Sequence, residues 1–551
     1  MRERFHSDGC LQKYSSMRHT LVSPYFFSQT ADASFKKVSQ KENYFVNLAE
    51  FFYIFVHEIN VRKMKSTRII GREEELRTME RIYQSDKSEM LAIYGRRRVG
   101  KSFLVEEAFR GKICFSTVGV YKKLEDGKDE IKQAQTHKES QLLHFYDDLI
   151  ASGLPAEGNP RPSSWREAFL LLRSLLQRVK RKRKVVFIDE LPWLAGPQSS
   201  ELIEELGYFW NNWADKQRNI VLIICGSATS WMLDNVLRDY GGLHGRLTET
   251  IYLKPFTLRE CEQYWAKRGF HLSRYEIALT YMTIGGVPYY MDRIHPDRTM
   301  ADNIDALYFN KEKARTEFKD VYTGLFSSSE KYIDIVRALG ARFYGMTRNE
   351  LIEAAKISGG GTFTKLMSNL IESGIVKTYP RYGGKRVQTV YQLCDFFSIF
   401  FLTFVEPGKK TSWRSLQRTH EFFDWAGHAF ELLVSEHTAQ LKDALRIKYA
   451  DATYSYLGPT PEGKTAQIDL VVPATTERTD YLCEMKYSEG KYAITAEYEE
   501  KLTEKLEALR NSSAHKRTHS ILLVLVTTFG LTNSKHNGHV NMEVTLNELF
   551  G

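Results

Sequence analysis

Between residues 69 and 255 short apolar runs alternate with amphipathic stretches of helical period. Leu91 to Tyr94, Ile113 to Val120, Val185 to Ile188, Asn219 to Cys225 and Thr250 to Leu253 are too short for buried helices and read as buried strands. Glu73 to Ser85, Ser102 to Phe109 and Trp165 to Arg181 read as helices; in the last, Phe169, Leu172, Leu175, Leu176 and Val179 face a core. Tyr121 to Ser163 is polar with one helical patch, Gln141 to Ala151, and reads as an insertion. The expected class is α/β.

After Pro255-Phe256-Thr257 the pattern turns helical. Lys331 to Leu339, Arg348 to Ala355 and Thr362 to Glu372 have the length of three helices, and Ile375 to Gln392 reads as two strands joined through Pro380 to Arg386. Three helices and a hairpin in that order predict a winged helix-turn-helix. Asp395 to Val405 is an aromatic core helix and Glu406 to Lys410 a linker. A helix from Trp425 to about Leu441 comes next, then strands Gln467 to Val472 and Tyr481 to Lys486, a helix Ala496 to Arg510 and a strand Ile521 to Thr528. Residues 1 to 63 show no clear period. Met64 is expected to be the true start, the bland alternative being an amphipathic anchor around Phe51 to Val56.

With 551 residues, length alone suggests about three or four domains. At 42% hydrophobic and 26% charged the composition is that of an ordinary globular protein. The net charge of +9 permits a nucleic-acid partner without demanding one. Six scattered cysteines with no CxxC pair read as reduced core thiols of a cytoplasmic protein rather than a zinc site. No run reaches the ~18 apolar residues of a membrane span.

Gly95-Arg96-Arg97-Arg98-Val99-Gly100-Lys101-Ser102 fits G-x-x-x-x-G-K-[ST], the Walker A pattern, at a strand-to-helix junction. The glycines allow a sharp turn and a close approach to polyphosphate, and the backbone NH groups and helix dipole point at the anion. Lys101 is placed to reach the β- and γ-phosphates of ATP, and Ser102 to ligate Mg²⁺. Val185 to Ile188 ends in Asp189-Glu190, the Walker B pattern: Asp189 beside the Mg²⁺ shell, Glu190 to orient and deprotonate the attacking water. The basic run Arg181 to Lys184 before it reads as a solvated helix end ahead of a DNA contact. Five basic residues (Lys365, Lys377, Arg381, Lys385, Arg386) against the single acidic Glu372 between Gly361 and Val390 suit phosphate contacts from the third helix and wing.

From Gly71 the chain resembles AAA+-type ATPases, specifically the prokaryotic signal-transducing-like family in which a G-R-E-x-E-L element precedes the Walker A strand. In that family a polar residue ending the strand after Walker B senses the γ-phosphate; here it falls on Ser227, with Thr229 second. Gly245-Arg246-Leu247 resembles the G-R element before the last core strand, which makes Arg246 a candidate to reach nucleotide in cis or from a neighbour. Gly285-Gly286-Val287-Pro288 resembles the G-x-P element whose proline lies near base and ribose.

Glu431 on a helix, Asp469 on a strand and Glu484-x-Lys486 on the next resemble the PD-(D/E)XK nuclease constellation. Alternation puts Glu484 and Lys486 on one strand face. The resemblance implies that Asp469, Glu484 and Glu431 hold one or two divalent ions and that Lys486 positions the attacking water. Without metal, the same groups make a plain ion-pair network. The expected organisation is an extension (1–63), a P-loop ATPase core (64–255), a helical lid (256–327), a winged helix (328–408) and a restriction-endonuclease-like domain (409–551). Two functions fit this organisation: an ATP-dependent enzyme acting on DNA, or a regulatory ATPase switch whose C-terminal domain only recognises a partner. Hexamers are usual for AAA+ motors, whereas signal-transducing relatives are often monomers that assemble when switched.

Overall fold

The computed structural model describes residues 68–551 apart from 122–129, 197–199, 239–242, 244, 327–328, 383–388, 409–411, 418, 450–451 and 514. The expectations for residues 1–63, for a start at Met64 and for the wing tip from Gly383 to Arg386 fall outside the described residues.

Five strands, β1 (Glu89–Tyr94), β2 (Ile113–Val118), β3 (Lys184–Asp189), β4 (Ile220–Gly226) and β5 (Glu249–Tyr252), form a parallel sheet in the order β2-β3-β4-β1-β5. Every residue of β4 is buried, as expected for an inner strand covered on both faces. Because all five run the same way, the loops after β1, β3 and β4 leave from one edge. Helix Trp165–Arg178 covers the sheet, capped by Ser164, whose side chain accepts from Glu167 N at 3.3 Å.

The expected insertion holds a longer helix than its apolar period announces, Glu130–Ala151. Polar groups dock its first half. Gln141 bonds both N and O of Val120 at 3.1 and 3.0 Å, and His137 Nε2 lies 2.9 Å from Trp193 O. Hydrophobic periodicity registers no such contacts.

Helices from Leu258–Lys267 to Lys311–Thr323 come next. Helices Ser329–Gly340, Arg348–Ala354 and Gly361–Glu372 then pack with a three-stranded antiparallel sheet of β6 (Met346–Thr347), β7 (Val376–Pro380) and β8 (Thr389–Leu393), in the order β6-β8-β7. The last part is a helix, His420–Glu436, laid on a five-stranded sheet of β9 (Tyr454–Pro459), β10 (Thr465–Ala474), β11 (Thr479–Lys486), β12 (Ser520–Thr527) and β13 (Met542–Thr545). Strands β9 to β11 are antiparallel. Helix Ala496–Arg510 crosses over to make β12 parallel to β11. No described helix is long and apolar enough to cross a membrane.

One hydrophobic core runs from Phe256 to Phe550. Its hub is the aromatic segment 396–405. Phe397 stacks on Tyr290 at 4.8 Å, Phe401 on Phe318 at 4.4 Å, and Phe400 packs against both Tyr308 (4.5 Å) and Trp425 (5.3 Å).

The helix expected to run to Leu441 stops at Glu436, and His437 turns the chain into Thr438–Ala444. The buried His437 ring accepts from Leu258 N through Nε2 at 3.0 Å and donates from Nδ1 to Leu433 O at 2.8 Å, which requires the neutral imidazole. Burial pushes its pKa below the usual 6.5. The unfolded chain therefore binds this proton first as pH falls. Stability is full above pH 6.5 and declines below it, by at most about 1.4 kcal/mol per pH unit until the native ring titrates. Urea denaturation at pH 7.5 and 5.5 should show a smaller acid loss for His437→Gln, which keeps an acceptor but does not titrate.

Candidate functional site

The loop after β1 carries two glycines for different reasons. A Cβ on Gly95 would sit 2.5 Å from Leu253 O, whereas Gly100 has open space but a φ of +89. Arg98 also has positive φ, +75, uncommon for a residue with a side chain, and its guanidinium is tied down by Glu317 and lies 4.2 Å over the Tyr289 ring. Lys101 Nζ donates to Gly95 O and Arg96 O, both at 3.0 Å, which closes the loop round the ammonium.

Parallel strands deliver the partners. Ser102 Oγ donates to Asp189 Oδ2 at 2.5 Å, so the two groups expected at Mg²⁺ already touch. Glu190 comes next in a left-handed conformation, φ +46, and its N–H donates to Asp189 Oδ1 at 2.9 Å. Burial raises the Glu190 pKa, against the lowering effect of Lys101. Ser227, expected at a γ-phosphate, instead holds Glu190: its N and Oγ donate to Oε2 at 3.0 and 2.8 Å. The hydroxyl of Thr229 is buried with no hydrogen-bond partner.

Arg246 donates from Nε to Asn211. Pro288 opens a short helix, and Gly286 is needed before it because a Cβ there would meet Phe256 O at 2.3 Å. Two residues beyond, the Tyr290 hydroxyl accepts from Arg98 at 3.5 Å and donates to Glu317 at 2.9 Å. The three loop arginines thus serve as anchors. Arg97 donates to Asp320 O at 3.3 Å, and Arg96, nearly wholly buried, pairs with the fully buried Asp395 at 2.7 Å. Asp395 also caps the aromatic segment, its Oδ2 accepting from Ser398 N and Oγ.

In the C-terminal sheet the register Leu470↔Cys483 sets Asp469 and Glu484 side by side. Burial and then the Glu431 charge push Asp469 up to about 6, and burial followed by Asp469 raises Glu484. Tyr344 is pushed up to about 12, first by burial and then by Glu431, Asp469 and Glu484 together. Asp469 and Glu431 line a cleft of about 170 Å³ whose facing wall includes Tyr344, Tyr379, Arg381 and Gln392.

The expected shell of three carboxylates is not assembled. Among the described residues no three His, Cys, Asp or Glu side chains stand where they would hold a metal ion. Glu484, fully buried, is drawn away: its Oε2 accepts from Lys505 Nζ at 2.6 Å and from Tyr498 OH at 3.1 Å. Its Oε1 is buried without a hydrogen-bond partner, so the site retains an oxygen for a further cation. Lys486 Nζ lies 4.9 Å over the Tyr498 ring. Of the basic residues expected at DNA, Lys365 is exposed, but Lys377 pairs with Glu436 at 3.1 Å and is spent inside the fold.

Asp395, Glu317, Tyr498 and Lys505 escaped the reading of the sequence. Tyr498 and Lys505, seven apart on one helix and so on one face, carried a signal. Asp395 carried a weaker one, as a capping residue before an apolar run. Asp395→Asn, which keeps an oxygen for Ser398, should destabilise the protein by about 3–5 kcal/mol by stranding a buried guanidinium. Chemical denaturation should show most of that loss recovered in R96M/D395N.

Residues 69–294 match the family described as an ATPase domain predominantly from Archaea. An uncharacterised protein of Methanocaldococcus jannaschii is 25% identical over 401 residues, 69% of this chain and 79% of its own. An uncharacterised ATP-binding protein of the same organism is 40% identical over 43 residues, 8% of this chain and 73% of its own. Among solved structures, a Walker-type ATPase of Pyrococcus abyssi aligns with a TM-score of 0.44 at 19% identity, covering 62% of this chain and 97% of that one. Through residues 69–294, with Lys101, Ser102, Asp189 and Glu190 converging at one sheet edge, the chain carries an ATPase domain of the predominantly archaeal family.

Proposed function

We propose that the chain hydrolyses Mg·ATP and acts on DNA, with a winged helix and a nuclease-like C-terminal domain under nucleotide control. The observation that carries the ATPase reading is the Ser102–Asp189 contact beside Lys101 and Glu190. Ser102 and Asp189 would hold Mg²⁺, which when bound neutralises phosphate charge. Lys101 exchanges its loop carbonyls for β- and γ-phosphate oxygens. Glu190, held by Ser227, takes the proton of the water whose oxygen attacks the γ-phosphorus as ADP leaves.

The C-terminal order supports a restriction-endonuclease-like fold: helix, three antiparallel strands, helix, parallel strand. Asp469, Glu431 and the unpartnered oxygen of Glu484 suit a hard divalent ion. Such an ion would polarise a phosphodiester, while Lys486 orients water. The cleft opens toward the hairpin that bears Arg381, which suits a nucleic-acid backbone.

The Arg96–Asp395 pair favours a second reading, a regulatory switch. It ties the nucleotide loop to the helix on which the C-terminal half is built.

Lys101→Ala should abolish ATP binding and turnover. Glu190→Gln should keep binding, read by a fluorescent nucleotide, and lose hydrolysis at least about a hundredfold, the low end for a general base. Linear and supercoiled DNA should be cut with Mg²⁺ or Mn²⁺, dependent on ATP, and left intact by Asp469→Ala. DNA intact under every condition, with ATPase activity present, would leave only the switch.

A further inference from the structure

We infer that Lys505 is a resident counter-cation of the C-terminal carboxylate site and competes with a divalent metal ion for it; this rests on reading that cleft as a metal site. The Lys505 ammonium lies 2.6 Å from Glu484 Oε2, on a carboxylate that has no exposure to water. A buried carboxylate without a partner either protonates or costs several kcal/mol, so this contact is what keeps Glu484 ionised in metal-free protein.

The charges present set the terms of the competition. Glu431, Asp469 and Glu484 contribute three negative charges, and Lys486 and Lys505 two positive ones; each lysine lowers the pKa of both Asp469 and Glu484, so both act on the same spot. A divalent ion added to this set leaves an excess of positive charge while Lys505 stays in contact. With Lys505 withdrawn, the charges balance. Two features allow withdrawal. Glu484 Oε1 is already free to take the ion, and the Lys505 side chain, 19% exposed, sits on helix Ala496–Arg510 with a route to solvent. Tyr498 OH stays on Oε2 and holds the carboxylate in place when the ammonium leaves.

This arrangement differs from that of Lys486, whose ammonium lies on the Tyr498 ring rather than on a carboxylate oxygen. Lys486 is compatible with a bound metal ion, and Lys505 in its present position is not. The bond is thus a built-in threshold: metal binds only when its attraction exceeds that of the tethered ammonium.

The test is Mn²⁺ binding to the full chain by titration calorimetry, with nucleotide omitted and the P-loop metal set disabled by Asp189→Asn in every protein compared. Lys505→Met should bind Mn²⁺ at least about tenfold more tightly than the parent, because like charges a few ångströms apart repel by more than the RT ln 10 of one decade. Lys505→Arg, which keeps the charge, should match the parent, and Asp469→Ala should bind none. Unchanged or weaker binding by Lys505→Met, with the parent binding normally, would overturn the role of Lys505 and leave the metal site standing. Absence of binding by both proteins would overturn the metal site itself. If Lys505→Met does not fold, amine acetylation of the Lys505 parent read by mass spectrometry takes its place. Mn²⁺ should raise labelling of Lys505, and unchanged or lower labelling at saturation would overturn the inference.

Discussion

Two opposite charges taken out of water together hold the two halves of this molecule in register. Arg96 leaves the nucleotide loop and meets Asp395 where neither side chain reaches solvent. The desolvation of such a pair offsets most of its attraction, so its worth lies less in net stability than in the cost of any arrangement that separates it. Asp395 starts the aromatic segment, Ser398 and Tyr322 hydrogen-bond in turn at 2.7 Å, and the stacked rings carry the constraint outward. A displacement of the loop is therefore also a displacement of the helix round which the lid and C-terminal sheet are packed.

The same economy recurs at both candidate sites. In the ATPase core Lys101 is satisfied by carbonyls of its own loop and Glu190 by Ser227. In the C-terminal domain Glu484 is satisfied by Lys505 and Tyr498. Each reactive group has an internal partner that imitates part of what a substrate or ion would offer, and this keeps buried charge from destabilising the fold.

Much of the ATPase core was legible in the sequence because its strands are buried on both faces and its loops must turn where glycine allows. The five short apolar runs became five parallel strands, and Lys101, Ser102, Asp189 and Glu190 meet as their motifs imply. Legibility fell wherever polar side chains replace apolar burial. Gln141 docks a helix by binding Val120 as a strand would, and His437 ends a helix by accepting an amide 179 residues away in sequence. Ser227 was found by position, but its partner was not, since spacing along a strand does not say which neighbouring carboxylate fills a hydrogen bond. At the C-terminal carboxylates the residue types were readable and their pairing was not: Lys505 lies 21 residues beyond Glu484 and reaches it only through the crossover helix.

The shared aromatic seam bears on how such a protein changes over generations. Phe400 touches Tyr308 before it and Trp413 and Trp425 after it, so a recombination breakpoint in the short segment between them would part rings that exclude water only as a set. An exchange of C-terminal halves between related chains would need to carry this seam along, or acquire a matching one. Inheritance of the two activities is thereby linked through packing, even where their chemistries are unrelated.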